Sequence, residues 1–164
     1  ALGPLRSGTY SATVVSPVHD VDPVTGVWTG KKLRRDGRAV AEGAWTTGRP
    51  VSVVFFEVRP VKHMRDDDSV RAGDEAIDGA VIAWQSALPF GAVMARSGRD
   101  EFIAVLPGLD VDSAIALNEH VRTLTTSGWW PGYALWTADL STLGVVGAAH
   151  DDYLLATNRA PSLR

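Results

Sequence analysis

Four carboxylates carry most of the chemistry this sequence could do. Glu57 lies near the end of an apolar run, Asp74 follows Gly73, and Asp100 and Glu101 are adjacent in a short polar stretch. A carboxylate at a strand end, facing acids on a neighbouring turn, suits Mg²⁺. That ion takes hard oxygen ligands and shares its shell with phosphates and water. It can activate a hydroxyl and stabilise phosphoryl charge. Aspartate is also a common turn residue, so spacing alone leaves a solvated acidic turn as the alternative.

The elements that must position these residues follow from periodicity. Asp22-Pro23-Val24-Thr25-Gly26 reads as a turn, with Pro presetting φ and Gly accepting the closing conformation. A helix is expected over 29–47, weakened by Gly37 and Gly43. Val51–Val58 is β-branched and aromatic without alternation, which predicts a strand buried on both faces. Asp66-Asp67-Asp68 is expected in a loop, with Asp74 opening the next helix. Ala76, Ile77, Ala80, Val81 and Trp84 recur at helical spacing, and Pro89-Phe90-Gly91 ends that helix.

Two short apolar runs, Ala92–Ala95 and Phe102–Leu106, flank Ser97–Glu101 as a hairpin. Asp110 or Asp112 can cap the next helix, whose apolar face is Ala114, Leu117, Val121 and Leu124. Tyr133–Trp136 reads as a further strand, and Asp139 starts a last helix running to about Asn158. The order predicts an α/β (α+β) domain: a mixed central sheet with helices packed on it, and a right-handed crossover from the first strand to the hairpin.

The chain has 164 residues, enough for one domain with a sizeable core. It is 45% hydrophobic and 21% charged, the proportions of a globular protein. A net charge of −3 with scattered Lys and Arg argues against nucleic-acid binding. The lack of cysteine removes disulfides, thiolate metal sites and thiol nucleophiles, and it fits a reducing, cytoplasmic setting. No apolar stretch is long enough for a membrane span. Residues 1–18 are expected to be a linker or the tail of an upstream segment, which a membrane protein could supply. Residues 19–164 then form one domain.

Several motifs share one register. Arg96-Ser97-Gly98-Arg99-Asp100-Glu101-Phe102 resembles the Arg-x-Gly-Gly-Asp-Glu-Phe signature of the GGDEF family, with Arg99 at the second glycine. Asp20-Val21-Asp22-Pro23-Val24-Thr25-Gly26 resembles the family's Asp-Pro-Leu-Thr-Gly opening. Val53 to Asp74 follows, without a gap, the family's segment from its metal-binding strand to a Gly-Asp pair. Leu106-Pro107 and the helix after it agree, and Ala149–Ala160 weakly resembles the closing helix. The likeness covers roughly residues 20–160.

The resemblance implies a nucleotidyl-cyclase-like fold. Two such domains face each other as a homodimer, each holding GTP with divalent metal, and each 3′-hydroxyl attacks the other's α-phosphate. It places Glu57 and Asp100 at the metal positions and Asp100 and Glu101 at the catalytic signature. Asp74, Arg65, Lys62, Gly98 and Arg99 fall at nucleotide positions.

The departures are specific. Glu57 stands where the family has Asp, so its oxygens move by about one carbon–carbon bond. Arg65 replaces the Asn that shares guanine recognition, and Arg has no acceptor. Arg99 puts a long side chain where glycine lets backbone approach phosphate, although a guanidinium can also bind phosphate. Thr157 and Pro161 replace phosphate-holding Lys and Arg, with Arg159 standing in if the register slips by two. Pro89 and Ala92 replace the Arg-x-x-Asp product-inhibition motif.

Other candidates carry less. His19, His63, His120 and His150 share no short spacing for zinc. Asp66-Asp67-Asp68 lacks the spaced ligands of a calcium loop, and no Gly-x-Ser-x-Gly elbow occurs. Trp129-Trp130-Pro131-Gly132 reads equally as a partner-binding patch or a core strand. The expectation is a degenerate GGDEF domain with little or no diguanylate cyclase activity, acting as a regulatory or dimerising protein-interaction module. The alternatives are a GTP-binding sensor, with Mg²⁺ only when nucleotide is bound, and a weak cyclase or phosphohydrolase.

Overall fold

The computed structural model describes residues 20–59 and 66–157, with the side chains of 66–69 left aside. The elements run β1 (Trp28–Thr29), α1 (Gly30–Trp45), β2 (Val51–Arg59), α2 (Asp66–Ala87), β3 (Val93–Arg96), β4 (Glu101–Pro107), α3 (Val111–Arg122), β5 (Gly128–Leu135) and α4 (Thr142–Ala156). The sheet order is β1-β3-β4-β2-β5. Among the described residues the β1–β3 pair is parallel and the β3–β4, β4–β2 and β2–β5 pairs are antiparallel. The sheet is therefore mixed, as the element order predicts. β2 and β3 run the same way with β4 between them, so α2 is a crossover connection.

β2 lies between β4 and β5, and Val51 to Phe56 are all buried. One set of its side chains, Val54, Phe56 and Val58, packs with Ile77, Val81 and Trp84 of α2 and Val121 of α3. Phe56 stacks between Trp84 and Phe102, with centroids 5.0 and 5.4 Å away. The other set, Val51, Val53 and Phe55, packs with Leu33 and Ala41 of α1 and with Val145, Ala149 and Tyr153 of α4. Each fully buried apolar side chain of this size contributes about 1.5–3 kcal/mol. A strand buried on both faces needs no alternation.

Helix ends obey local chemistry. Thr29 caps α1 by accepting from the Lys32 amide, and Asp110 caps α3 by accepting from the Ser113 amide at 2.8 Å. The Asp22 turn forms as expected: its carboxylate accepts from the amide and hydroxyl of Thr25, and Gly26 takes φ 78°.

Five sequence expectations are corrected. Asp66-Asp67-Asp68 begins α2 instead of lying in a loop, because acidic residues favour a helix N-terminus. Asp74 accordingly sits inside α2 instead of opening it. Ser141 caps α4, accepting from the Gly144 amide, where Asp139 was expected to start the helix. Leu124 lies beyond the end of α3 and is exposed. β5 starts at Gly128 instead of Tyr133, and it carries Pro131 and Gly132 internally. An edge strand tolerates a proline, which has no amide hydrogen to offer a neighbour.

Candidate functional site

The hairpin turn is held from outside. Arg96, at the end of β3, donates from Nε to the carbonyl of Arg99 at 3.0 Å and from Nη1 to Asp22 Oδ2 at 3.2 Å. The N-terminal turn and the signature turn are thereby one unit. Asp20 is fixed in turn by the two-pronged guanidinium of Arg35, at 3.1 and 2.8 Å. Beyond the turn, the Val58 amide donates to the carbonyl of Asp100 at 2.8 Å, continuing the β2–β4 pairing.

That pairing sets Glu57 directly opposite Glu101. Asp100 joins them, and one carboxylate oxygen from each of the three lies within 4.8 Å of the others. Like charges facing across strands destabilise a sheet. Burial holds the Glu101 carboxyl above its ordinary range, and the charges of Asp100 and Glu57 add to that. Gly98 makes room for this side chain: a Cβ there would come 2.8 Å from Glu101 Oε1.

The repulsion is offset by groups the motif does not contain. Arg59 Nη2 lies 2.9 Å from Glu57 Oε1. The Tyr153 hydroxyl, from α4, donates to the same oxygen. Burial and then this bond to Glu57 push the Tyr153 phenol well above its ordinary pKa. His150, one turn earlier, packs edge-on against Phe55 at 4.9 Å, a structural role.

On the opposite side of the turn lies a cleft of about 300 Å³, lined by Val58, Gly73, Asp74, Ile77, Arg99 and Asp100. Asp100 belongs to both the cleft and the carboxylate trio; Glu57 and Glu101 do not line the cleft. Expected nucleotide residues Asp74 and Arg99 therefore meet across one concavity. Lys62, Arg65, His63, Arg159, Pro161 and the proposed linker lie outside the described residues. Thr157, at an expected phosphate position, bonds its hydroxyl to the carbonyl of Tyr153 at 2.9 Å.

As a site for a divalent ion, the trio has the right oxygen donors and spacing. It departs at Glu57, whose Oε1 already accepts from Arg59 and Tyr153. Arg59 was legible in principle, since it is two residues from Glu57 on the same strand and so shares its face. Tyr153 gave no signal, being 96 residues away in sequence.

This mixed sheet with helices packed on it matches the fold of solved GGDEF domains. Residues 19–128 match the family model "Diguanylate cyclase, GGDEF domain", and the chain belongs to the GGDEF family. A diguanylate cyclase of Vibrio cholerae serotype O1 is 28% identical over 103 residues, which is 63% of this chain and 32% of that protein. The chain thus matches about a third of that relative's length.

Solved structures agree in fold. The coiled-coil and GGDEF domain of DgcB from Caulobacter crescentus, in complex with c-di-GMP, superposes with TM-score 0.79 at 14% identity, covering 96% of this chain and 90% of that one. Diguanylate cyclase SiaD from Pseudomonas aeruginosa, in complex with its activator SiaC, gives 0.74 at 18% identity, covering 96% and 66%. The GGDEF domain of FimX from the same organism gives 0.69 at 17%, covering 85% and 94%.

Proposed function

We propose that this chain is a degenerate GGDEF domain: it keeps the fold as a regulatory or protein-interaction module, with little or no conversion of GTP to cyclic di-GMP. The observation that carries the reading is the engagement of Glu57. The residue at the family's first metal position has an oxygen committed to Arg59 and to Tyr153. Arg99 adds to this by placing a long cationic side chain in the wall of the cleft. Arg65, Thr157 and Pro161 stand where amide or basic contacts to nucleotide would otherwise be made. Losing a charge-assisted contact typically costs about 1.5–3 kcal/mol, so several losses together lower nucleotide affinity by decades.

The partner in this reading is a second copy of the chain or another protein. The SiaD structure, a cyclase bound to an activator protein, supports protein regulation as a theme of the fold. A cytoplasmic location goes with it, and among the described residues no helix is long and apolar enough to cross a membrane.

The test is a calorimetric titration of the chain with GTP and Mg²⁺, repeated with ATP. No saturable heat and no thermal shift at high nucleotide is the expected result. Saturable GTP binding abolished by Asp100→Ala would favour the second reading, a nucleotide sensor. That reading draws on Asp74 and Asp100 lining one cleft.

A further inference from the structure

We infer that Arg59 is a resident counter-cation of Glu57, one member of the carboxylate trio, and that it disfavours a divalent ion at the trio by engaging the Glu57 oxygen such an ion would use. The inference deepens the functional reading above and rests on it. Three carboxylates with oxygens within 4.8 Å of one another repel, and a nearby cation lowers that repulsion. The strand itself supplies one: Arg59 is two residues beyond Glu57, so both side chains leave β2 on the same face.

The guanidinium reaches Glu57 Oε1 at 2.9 Å, and the Tyr153 hydroxyl donates to that same oxygen. A carboxylate oxygen has about two lone-pair sites, and two donors fill them. A metal ion seeking that oxygen would displace both donors and then sit against a guanidinium. Arg keeps its charge at all accessible pH, so this countercharge does not titrate away. Tyr153 is 3% exposed and cannot easily swing away. The ligand class the trio would accept, once freed, is a small hard divalent cation.

The experiment is a Mn²⁺ titration of the full chain, followed by the paramagnetic resonance of free Mn²⁺. The wild type is expected to show no saturable site. Arg59→Gln and Arg59→Met are expected to bind Mn²⁺ at least about tenfold more tightly. The double variant Arg59→Gln with Glu57→Gln is expected to lose that gain, and Arg59→Lys, which keeps the charge, to behave as wild type. Thermal melts establish that each variant is folded. Wild-type binding as tight as that of Arg59→Gln overturns the inference, and so does a folded Arg59→Gln and Arg59→Met pair with no gain. GTP turnover by a wild type that binds no Mn²⁺ would contradict the functional reading and leave this inference standing.

Discussion

Tyr153 of α4 donates its hydroxyl hydrogen to Glu57 at the far end of β2, tying the last helix to the acidic corner of the sheet. Tyr153 is buried, and its ring also packs against Phe55 at 5.1 Å. Tyr153→Phe keeps the ring and removes the donor. The expected loss is about 1–3 kcal/mol, read from urea unfolding with an unchanged m-value. No loss would mean that Glu57 is satisfied without α4.

Gly132 tests how closely α4 sits on β5. A Cβ there would come 2.2 Å from the carbonyl oxygen of Ala149 and 2.3 Å from the amide nitrogen of Tyr153. Both are backbone, so the helix itself must move. Gly132→Ala is expected to cost about 3 kcal/mol or more. Gly43 gives the opposite outcome: it lies inside α1, and a Cβ there meets nothing within 4 Å. Gly43→Ala is expected to stabilise by about 0.5–1 kcal/mol. Denaturant midpoints of the two variants should shift in opposite directions.

The carboxylates make stability depend on pH in two senses. Glu101 is held above its ordinary range, first by burial and then by Asp100 and Glu57, with His150 opposing. The folded state keeps this proton where the unfolded chain has released it. Stability on this account falls as pH rises from the unfolded carboxylate range through the folded value. Asp20 runs the other way. Its bonds from Arg35 hold it low, so its contribution is present above the unfolded pKa and is lost as pH falls through the folded one. Glu101→Gln should therefore raise the unfolding midpoint at neutral pH and leave it nearly unchanged in acid. Equal shifts at both would show that its charge is not the cause.

The edge of the sheet gives a fourth prediction. β5 is an edge strand, and the outward amide of Tyr133 is taken by Asp152 Oδ2 at 2.8 Å. Pro131, two residues earlier, has no amide hydrogen to offer. Together they blunt an edge that would otherwise pair with another chain. Asp152→Ala is expected to increase concentration-dependent association, measured by light scattering, with a stability loss of about 1 kcal/mol.

Much of this fold can be read from local signals. β2 announces itself because both faces are apolar, and the hairpin because polar residues separate two apolar runs. The caps at Thr25's turn and Asp110 follow from side-chain oxygens that must accept amide hydrogens. β1 is too short to carry a period, and β5 is hidden because proline and glycine interrupt it where an edge permits them. The aspartates before Asp74 read locally as a loop, which puts Asp74 at a helix start; those same residues are favoured at a helix N-terminus. The cleft pair, Asp74 and Arg99, and the trio were legible through the motif's spacing. The hydroxyl that bonds Glu57 was not, since Tyr153 reaches it only through tertiary packing.

In the proposed function this GGDEF domain does not carry out the cyclase reaction. The most direct test incubates the chain at high concentration with GTP and Mg²⁺, then with Mn²⁺, and measures cyclic di-GMP by mass spectrometry. The prediction is no product above the level given by Asp100→Ala. Product that accumulates with time in the wild type, and disappears with Asp100→Ala, would contradict it.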